Sequence, residues 1–216
     1  MKATLEALKS LDLKGCTVTA DALHCHPKMA ATLREGGAHY ALKLKGNNGP
    51  LHTCAVAAFA KADKRGNVAS YEKSEEGHGR FERRRVTTVA APKDAPPLPG
   101  LVMFARIDSE RREANGKTET AIHYVALSKH MPARRVLEIV RLHWSVENNL
   151  HRQLDVVFNE DDARTRKNHA PQNLSFIRRM ALDILKAHPD KRSVSRKMKM
   201  AAWSKEFFFE LFAHMR

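Results

Sequence analysis

The sequence has no run of the roughly 20 apolar residues that a membrane-spanning helix requires, so no span is predicted. It contains three cysteines without a Cys-x-x-Cys pair, which argues against a disulfide framework and a structural zinc site. The first residues alternate charged with apolar types, so no secretion signal is predicted. These absences favour a folded protein of the reducing cytoplasm.

Acidic residues are also scarce, since 24 Asp and Glu stand against 38 Lys and Arg, for a net charge of +14. This imbalance favours an anionic polymer, above all nucleic acid, over a small-molecule substrate or a membrane, with a generic basic protein as the alternative. Residues 164–205 hold twelve basic and two acidic residues, a composition typical of phosphate contacts rather than of a mixed solvated surface. The residues predicted to bind DNA are Arg164, Arg166, Lys167, Arg178, Arg179, Arg196, Lys197 and Lys199. The 77–80 turn leading into three arginines at 83–85 is a weaker candidate.

Hydrophobic periodicity predicts an α/β fold in three parts of one domain. Residues 1–62 form a strand-helix-strand core part, with strands at 16–20 and 39–44. Residues 63–131 form an antiparallel β insertion, with strands at 81–89, 101–107 and 121–127. Residues 132–216 form a helical part, with helices at 132–158, 170–187 and 195–212.

Two carboxylates stand out in this arrangement. Asp21 follows the strand at 16–20, and a carboxylate just past the end of such a strand points into the crevice where α/β proteins bind ligands. Glu147 lies at the margin of the apolar arc of the long helix, for which Ile139, Leu142 and Val146 are the predicted core face. Asp21 alone fits a cap, and Glu147 alone fits a boundary residue paired with a nearby Arg or His. Together in one crevice they would form a site for a hard cation.

Two other local patterns could suggest a zinc site or a nucleotide-binding site, but neither is supported. The His24-Cys25-His26 triplet is not expected to bind zinc, because adjacent side chains diverge and no second ligand pair follows. The glycines and asparagines at 46–49 lack a nucleotide-binding pattern and are typical of a turn.

The segment from His143 to Asp161, HWSVENNLHRQLDVVFNED, resembles the signature helix of the H-repeat-associated transposases, which are DDE transposases of bacterial insertion sequences. The resemblance extends to residues 11–15 and 18–22, to the YALKLKGN stretch at 40–47, and to residues 77–80 and 164–173. Several ordered motifs at compatible separations make it specific.

The resemblance implies an RNase H-like core that holds Mg²⁺ or Mn²⁺ between three carboxylates. Asp21 matches the second carboxylate and Glu147 the third, whereas the first would lie on a strand before residue 1. The chain would then be an N-terminally truncated catalytic region and inactive alone. His143, Trp144, Asn148 and His151 are candidate supporting residues. Where the broader superfamily has Tyr, Arg and Lys, this sequence has Val140, His143 and Leu154.

The implied activity is DNA transposition, in which two metal ions support cleavage and joining of DNA phosphodiesters. The expected partner is DNA, a homodimer is a candidate assembly, and the expected location is the bacterial nucleoid within the cytoplasm. One alternative is a DNA-binding transposase remnant without catalysis. A second is an unrelated metal-dependent nuclease, which would take a further carboxylate from Asp155 or residues 160–162.

Overall fold

The computed structural model describes residues 2–66, 68–77 and 80–214, and the side chains of Lys2, Ala3, Glu147 and Asn148 lie outside that description. The chain divides into two compact units, Met1–His143 and Trp144–Arg216. Within the described residues, no helix combines the length and apolarity needed to cross a lipid bilayer.

Unit 1 alternates helices and strands before it becomes rich in strands. Its elements are α1 (Lys2–Lys9), β1 (Thr17–Ala20), α2 (Pro27–Glu35), β2 (His39–Leu44), α3 (Gly49–Arg65), β3 (Ala69–Gly77), β4 (Arg80–Ala90), β5 (Met103–Glu113), β6 (Thr118–Leu127) and most of α4 (Ala133–Val146). Pro27 and Pro50 stand in the first turns of α2 and α3, where proline costs no helical hydrogen bond. The order strand, helix, strand predicted from residue 16 to residue 44 is found in β1, α2 and β2.

The six strands found in the described residues form one sheet in the order β1-β2-β6-β5-β4-β3. β1 pairs in parallel with β2, and β2 pairs antiparallel with β6, with Ala41 opposite Leu127. The antiparallel strands predicted as an insertion thus continue the sheet begun by the first two strands. β3 was not predicted.

The core of unit 1 lies where α2 and α3 cover β2. Tyr40, on β2, is fully buried among apolar residues that include Leu33 and Phe59. Its hydroxyl donates to the carbonyl oxygen of Pro99 at 3.0 Å, and its amide donates to the Ser128 hydroxyl at 2.7 Å. Burial raises the pKa of the Tyr40 phenol, so the ring serves as a neutral core group.

The outer halves of β3 to β6 depend on charged cross-strand neighbours rather than on a core. Arg83 contacts Glu110 across the sheet at 2.8 Å, and Arg84 lies beside Glu82 and Glu75. Hydrogen bonds from Arg141 and Lys73 lower the pKa of Glu75 to about 2. Because these groups are partly exposed, each pair contributes about 0–1 kcal/mol.

Unit 2 is helical. Its elements after α4 are a π-helical turn at Glu147–His151, then α5 (Arg152–Phe158), α6 (Ala170–Ala187), α7 (Val194–Trp203) and α8 (Lys205–Ala213). Helix formation across 133–158 is confirmed, but the wide turn interrupts its α-helical phase. The helix predicted over 195–212 is divided at Ser204, whose hydroxyl accepts the amide of Phe207 and caps α8.

We expect Ser128→Ala to lower the free energy of unfolding by about 1–3 kcal/mol, because the buried amide of Tyr40 loses its acceptor. The measurement is urea denaturation followed by circular dichroism. Ser109→Ala is the control, since that hydroxyl donates to Ala121 in an exposed setting. Equal effects for the two variants would contradict the assignment.

Candidate functional site

Asp21 lies directly after β1, at the end of the parallel strand pair. Its backbone is extended, with φ −69° and ψ 166°, and it precedes a short 3-10 turn at Ala22–His24. Its carboxylate makes no capping hydrogen bond within the described part of the chain, and its side chain is 52% exposed. The carboxylate is therefore not committed to the capping role that a strand-end aspartate often takes.

Two nitrogen-bearing side chains face Asp21 from neighbouring elements of unit 1. Lys43 Nζ, from β2, lies 3.9 Å from Asp21 Oδ1, and His143 Nε2, from α4, lies 3.7 Å from the same oxygen. Both separations exceed hydrogen-bond length. The other ring nitrogen of His143 is hydrogen-bonded to the Thr19 hydroxyl at 3.0 Å, which fixes the ring against β1.

The β1-β2 pairing explains why Lys43 stands beside Asp21. Ala20 pairs with Leu42, so continuing the register by one residue sets Asp21 next to Lys43. The sequence alone predicts no role for Lys43, although this residue belongs to the YALKLKGN stretch. A lysine inside an otherwise apolar strand, at the position aligned with Asp21, was the available signal.

The turn after β2 also supports the segment that follows Asp21. The side-chain amide of Asn47 donates to the carbonyl oxygen of Ala22 at 3.2 Å, and that of Asn48 donates to Cys25 at 2.9 Å. These bonds tie the loops after β1 and β2 together. The 46–49 turn therefore stabilises the loop that follows Asp21 through side-chain hydrogen bonds.

The supporting residues predicted near Glu147 have different environments. The side chains of Glu147 and Asn148 lie outside the described residues, while their backbone belongs to the π-helical turn. Trp144 is half-buried and His151 is exposed. A π-helical turn is uncommon and is found frequently at functional sites.

Helix α4 buries a different face from the one predicted. Its buried residues include Val136, Leu137 and Val140, whereas Leu142 and Val146 are exposed. Ile139 is buried as expected. The observed face brings His143, one turn beyond Ile139, to β1.

Most basic residues predicted to bind DNA are available at the surface of unit 2. Those exposed are Arg164, Arg166, Lys167, Arg179, Arg196 and Lys199, and Arg178 is half-buried. Lys197 is 4% exposed, and its Nζ donates to the carbonyl oxygens of Leu185 and His188, each at 2.9 Å. The prediction that Lys197 binds DNA is wrong, because its ammonium group caps the C-terminal end of α6.

The weaker DNA-binding candidate at 77–85 lies partly outside the described residues, at His78 and Gly79. Arg83 and Arg84 both face acidic partners on the sheet. These ion pairs offset the positive charge that would attract a phosphate backbone.

Comparisons with known proteins place the chain in a family. The transposase DDE domain model matches residues 1–184. The chain is 32% identical to the H repeat-associated putative transposase YhhI of Escherichia coli strain K12, across 96% of this chain and 57% of that protein. It has the same identity and coverage with protein YbfL of that strain, and is 33% identical to YncI of Escherichia coli O157:H7, across 96% of this chain and 55% of that protein.

The chain belongs to the transposase DDE domain family, and the resemblance to the H-repeat-associated members is confirmed. It spans slightly more than half the length of the curated relatives that it matches.

We expect Lys197→Met to lower the free energy of unfolding by about 1.5–3 kcal/mol, since two carbonyl oxygens at the end of α6 lose a charged donor. Lys199→Met, at an exposed position of the same helix, should change it by less than about 0.5 kcal/mol. Urea denaturation provides the comparison. Reversal of this order would contradict the capping role.

Proposed function

We propose that this chain forms part of the catalytic region of a DNA transposase, in which Asp21 and Glu147 supply two metal-binding carboxylates. The observation that carries the proposal is the uncapped, half-exposed carboxylate of Asp21 at the end of a parallel strand, beside Lys43 and His143. Family membership supplies the reaction class. The family resemblance implies one more carboxylate, the first of the three, which neither Asp21 nor Glu147 provides.

An RNase H-like core is consistent with the strand pattern. Such a core combines parallel and antiparallel strands in one sheet, and here a parallel pair, β1-β2, adjoins antiparallel strands from β6 onward. A ligand crevice at the carboxyl ends of parallel strands is the general expectation for such sheets. Asp21 and Lys43 both lie at that end.

The carboxylate oxygens of Asp21 are suitable ligands for Mg²⁺ or Mn²⁺. A carboxylate oxygen is the ligand that hard cations prefer, and Asp21 Oδ1 has no hydrogen-bonded partner at 3.5 Å or less among its two nitrogen neighbours. The positive charge of Lys43 opposes a cation at this oxygen, so a second carboxylate is needed to offset it. Glu147, four residues beyond His143 in the sequence, is the proposed source.

When bound, the metal ions would activate the attacking oxygen and stabilise the leaving oxygen of a DNA phosphodiester. The chain's own residues would bind the DNA phosphate and orient the groups around it. Lys43 would contact a nonbridging phosphate oxygen as a point charge, because its ammonium lies beside Asp21, 3.9 Å from Oδ1. His143, fixed by Thr19, holds the Asp21 side of the crevice in place.

Mn²⁺ binding tests the metal assignment without requiring catalysis. We expect Asp21→Asn and Glu147→Gln each to weaken Mn²⁺ binding by about tenfold or more, since loss even of a supporting group around a metal commonly costs 10–100-fold. The measurement is the electron paramagnetic resonance signal of free Mn²⁺ during titration.

Asp94→Asn is the matched control, because Asp94 is exposed in the loop between β4 and β5. Wild-type affinity in both site variants would remove Asp21 and Glu147 from the metal site. Loss in only one of them would limit the site to that carboxylate.

DNA binding should depend on salt and on the exposed basic residues of unit 2. If about four phosphates are neutralised, the log-log slope of affinity against salt concentration should be near −3.6 for duplex DNA. Combined Arg179→Glu, Arg196→Glu and Lys199→Glu should weaken binding and make the slope shallower. Fluorescence anisotropy with a labelled duplex measures both quantities.

Lys93→Glu, in the exposed loop of unit 1, tests whether a single charge reversal outside unit 2 has a comparable effect per charge. An unchanged slope in the triple variant would mean that unit 2 presents an ordinary solvated surface. Supercoiled DNA nicked in the presence of Mn²⁺, but not by Glu147→Gln, would favour catalysis by this chain over a DNA-binding remnant. The expected homodimer stays a prediction.

A further inference from the structure

A second cluster of potential metal ligands lies at the ends of two helices in unit 2. His188 follows α6 and is 5% exposed, and its ring is in edge contact with the rings of Phe207 and His214. Its Nδ1 accepts the backbone amide of Asp190 at 3.2 Å. Its Nε2 is buried and has no hydrogen-bond partner among the residues that the structure describes.

Two exposed ligand residues, Glu210 in α8 and His214 at its C-terminal cap, face this nitrogen. Glu210 and His214 are four residues apart, and His214 keeps helical backbone angles, so both lie on one helix face. Glu210 Oε1 lies 3.6 Å from His188 Nε2, too far for a hydrogen bond. One nitrogen or oxygen atom from each of the three residues lies within 4.8 Å of the others.

A buried nitrogen without a partner destabilises a fold unless something at the site compensates. Two imidazoles and one carboxylate form a recurrent zinc ligand set that leaves a fourth position for water. From the buried, unpartnered Nε2 of His188 and the two ligands aligned on α8, we propose that His188, Glu210 and His214 bind a divalent transition metal ion, with zinc as the chemical type. Imidazole ligands favour zinc over Mg²⁺, so this site differs in chemistry from the Asp21 site.

Zinc binding requires a small movement of the ligand side chains and the loss of one hydrogen bond. Tetrahedral zinc with bonds near 2.0–2.1 Å sets its ligand atoms about 3.3 Å apart, so the exposed side chains of Glu210 and His214 must close by roughly an ångström. Coordination through Nε2 moves the ring proton of His188 to Nδ1, and the hydrogen bond from Asp190 is then lost.

Neighbouring charges also moderate the affinity. Lys197 Nζ lies 2.9 Å from the carbonyl oxygen of His188 and opposes a cation, whereas the charge of Arg192 is offset by Asp190. Glu210 supplies the single ligand charge. The site should therefore bind more weakly than one with four protein ligands.

Bound zinc would link the end of α6 to the C-terminal end of α8 and the residue that follows it. Those helices otherwise meet through a small core of Leu185, Phe207 and Leu211. A metal that binds only the folded form at 100 times its Kd raises the folded-to-unfolded ratio about 100-fold. Zinc should thus raise the melting temperature of the chain.

The test is isothermal titration calorimetry, in which Zn²⁺ is added to the tag-free chain. Excess Mg²⁺ is present so that sites with only oxygen ligands are already occupied. We expect one zinc ion per chain at this site. Glu210→Gln and His214→Ala should each weaken binding by about tenfold or more. Both residues are exposed, so circular dichroism should show that the variants remain folded.

His169→Ala, an exposed histidine before α6, is the matched control and should bind as the wild type does. Cobalt substituted for zinc should give visible absorption bands that disappear in His214→Ala. Wild-type zinc affinity in both ligand variants, or no zinc binding by the wild-type chain, would overturn the proposal. Binding that is lost instead in His24→Ala would also overturn it.

Discussion

The hydrogen-bond pairing of β2 on both of its edges is the constraint on which unit 1 depends. One edge joins β1 in parallel and the other joins β6 antiparallel, so six residues connect two different kinds of strand arrangement. The same strand carries Tyr40 into the core and places Lys43 beside Asp21. A shift of one residue in its register would exchange the two faces and separate Lys43 from Asp21.

Sequence patterns predicted the elements whose stability is local. β2 has the predicted bounds of 39–44, and α6 the predicted bounds of 170–187. β3 escaped prediction because most of its residues are exposed and charged or polar, and its order comes from pairing with β4. The direct pairing of β6 with β2 also depends on contacts distant in sequence, which periodicity does not encode. The break at Ser204, by contrast, had a local signal in the serine cap before α8.

Only part of the candidate site could be predicted, because the sequence shows the order of elements but not the burial or hydrogen bonding of each side chain. The placement of Asp21 after a strand could be inferred from the order of elements. The structure adds that its carboxylate does not cap the 3-10 turn that follows it. The buried face of α4 was misjudged because Leu142 and Val146 are as apolar as the residues that pack. Lys197 shows the opposite error, since charge counting cannot distinguish a solvated ammonium from one that caps buried carbonyl groups. Burial and hydrogen bonding, rather than residue type, decide both cases.

The cross-strand ion pairs of β3 to β6 have a consequence for how the molecule approaches a polyanion. Residues 69–127 contain ten Lys or Arg and nine Asp or Glu, so nearly all of the net charge of +14 is carried by the rest of the chain. The hairpins are thereby almost neutral despite their many arginines. Long-range attraction acts on net charge rather than on the number of charged groups. A polyanion would be steered past the hairpins toward the remaining surface, and its first encounters with the protein would already be oriented.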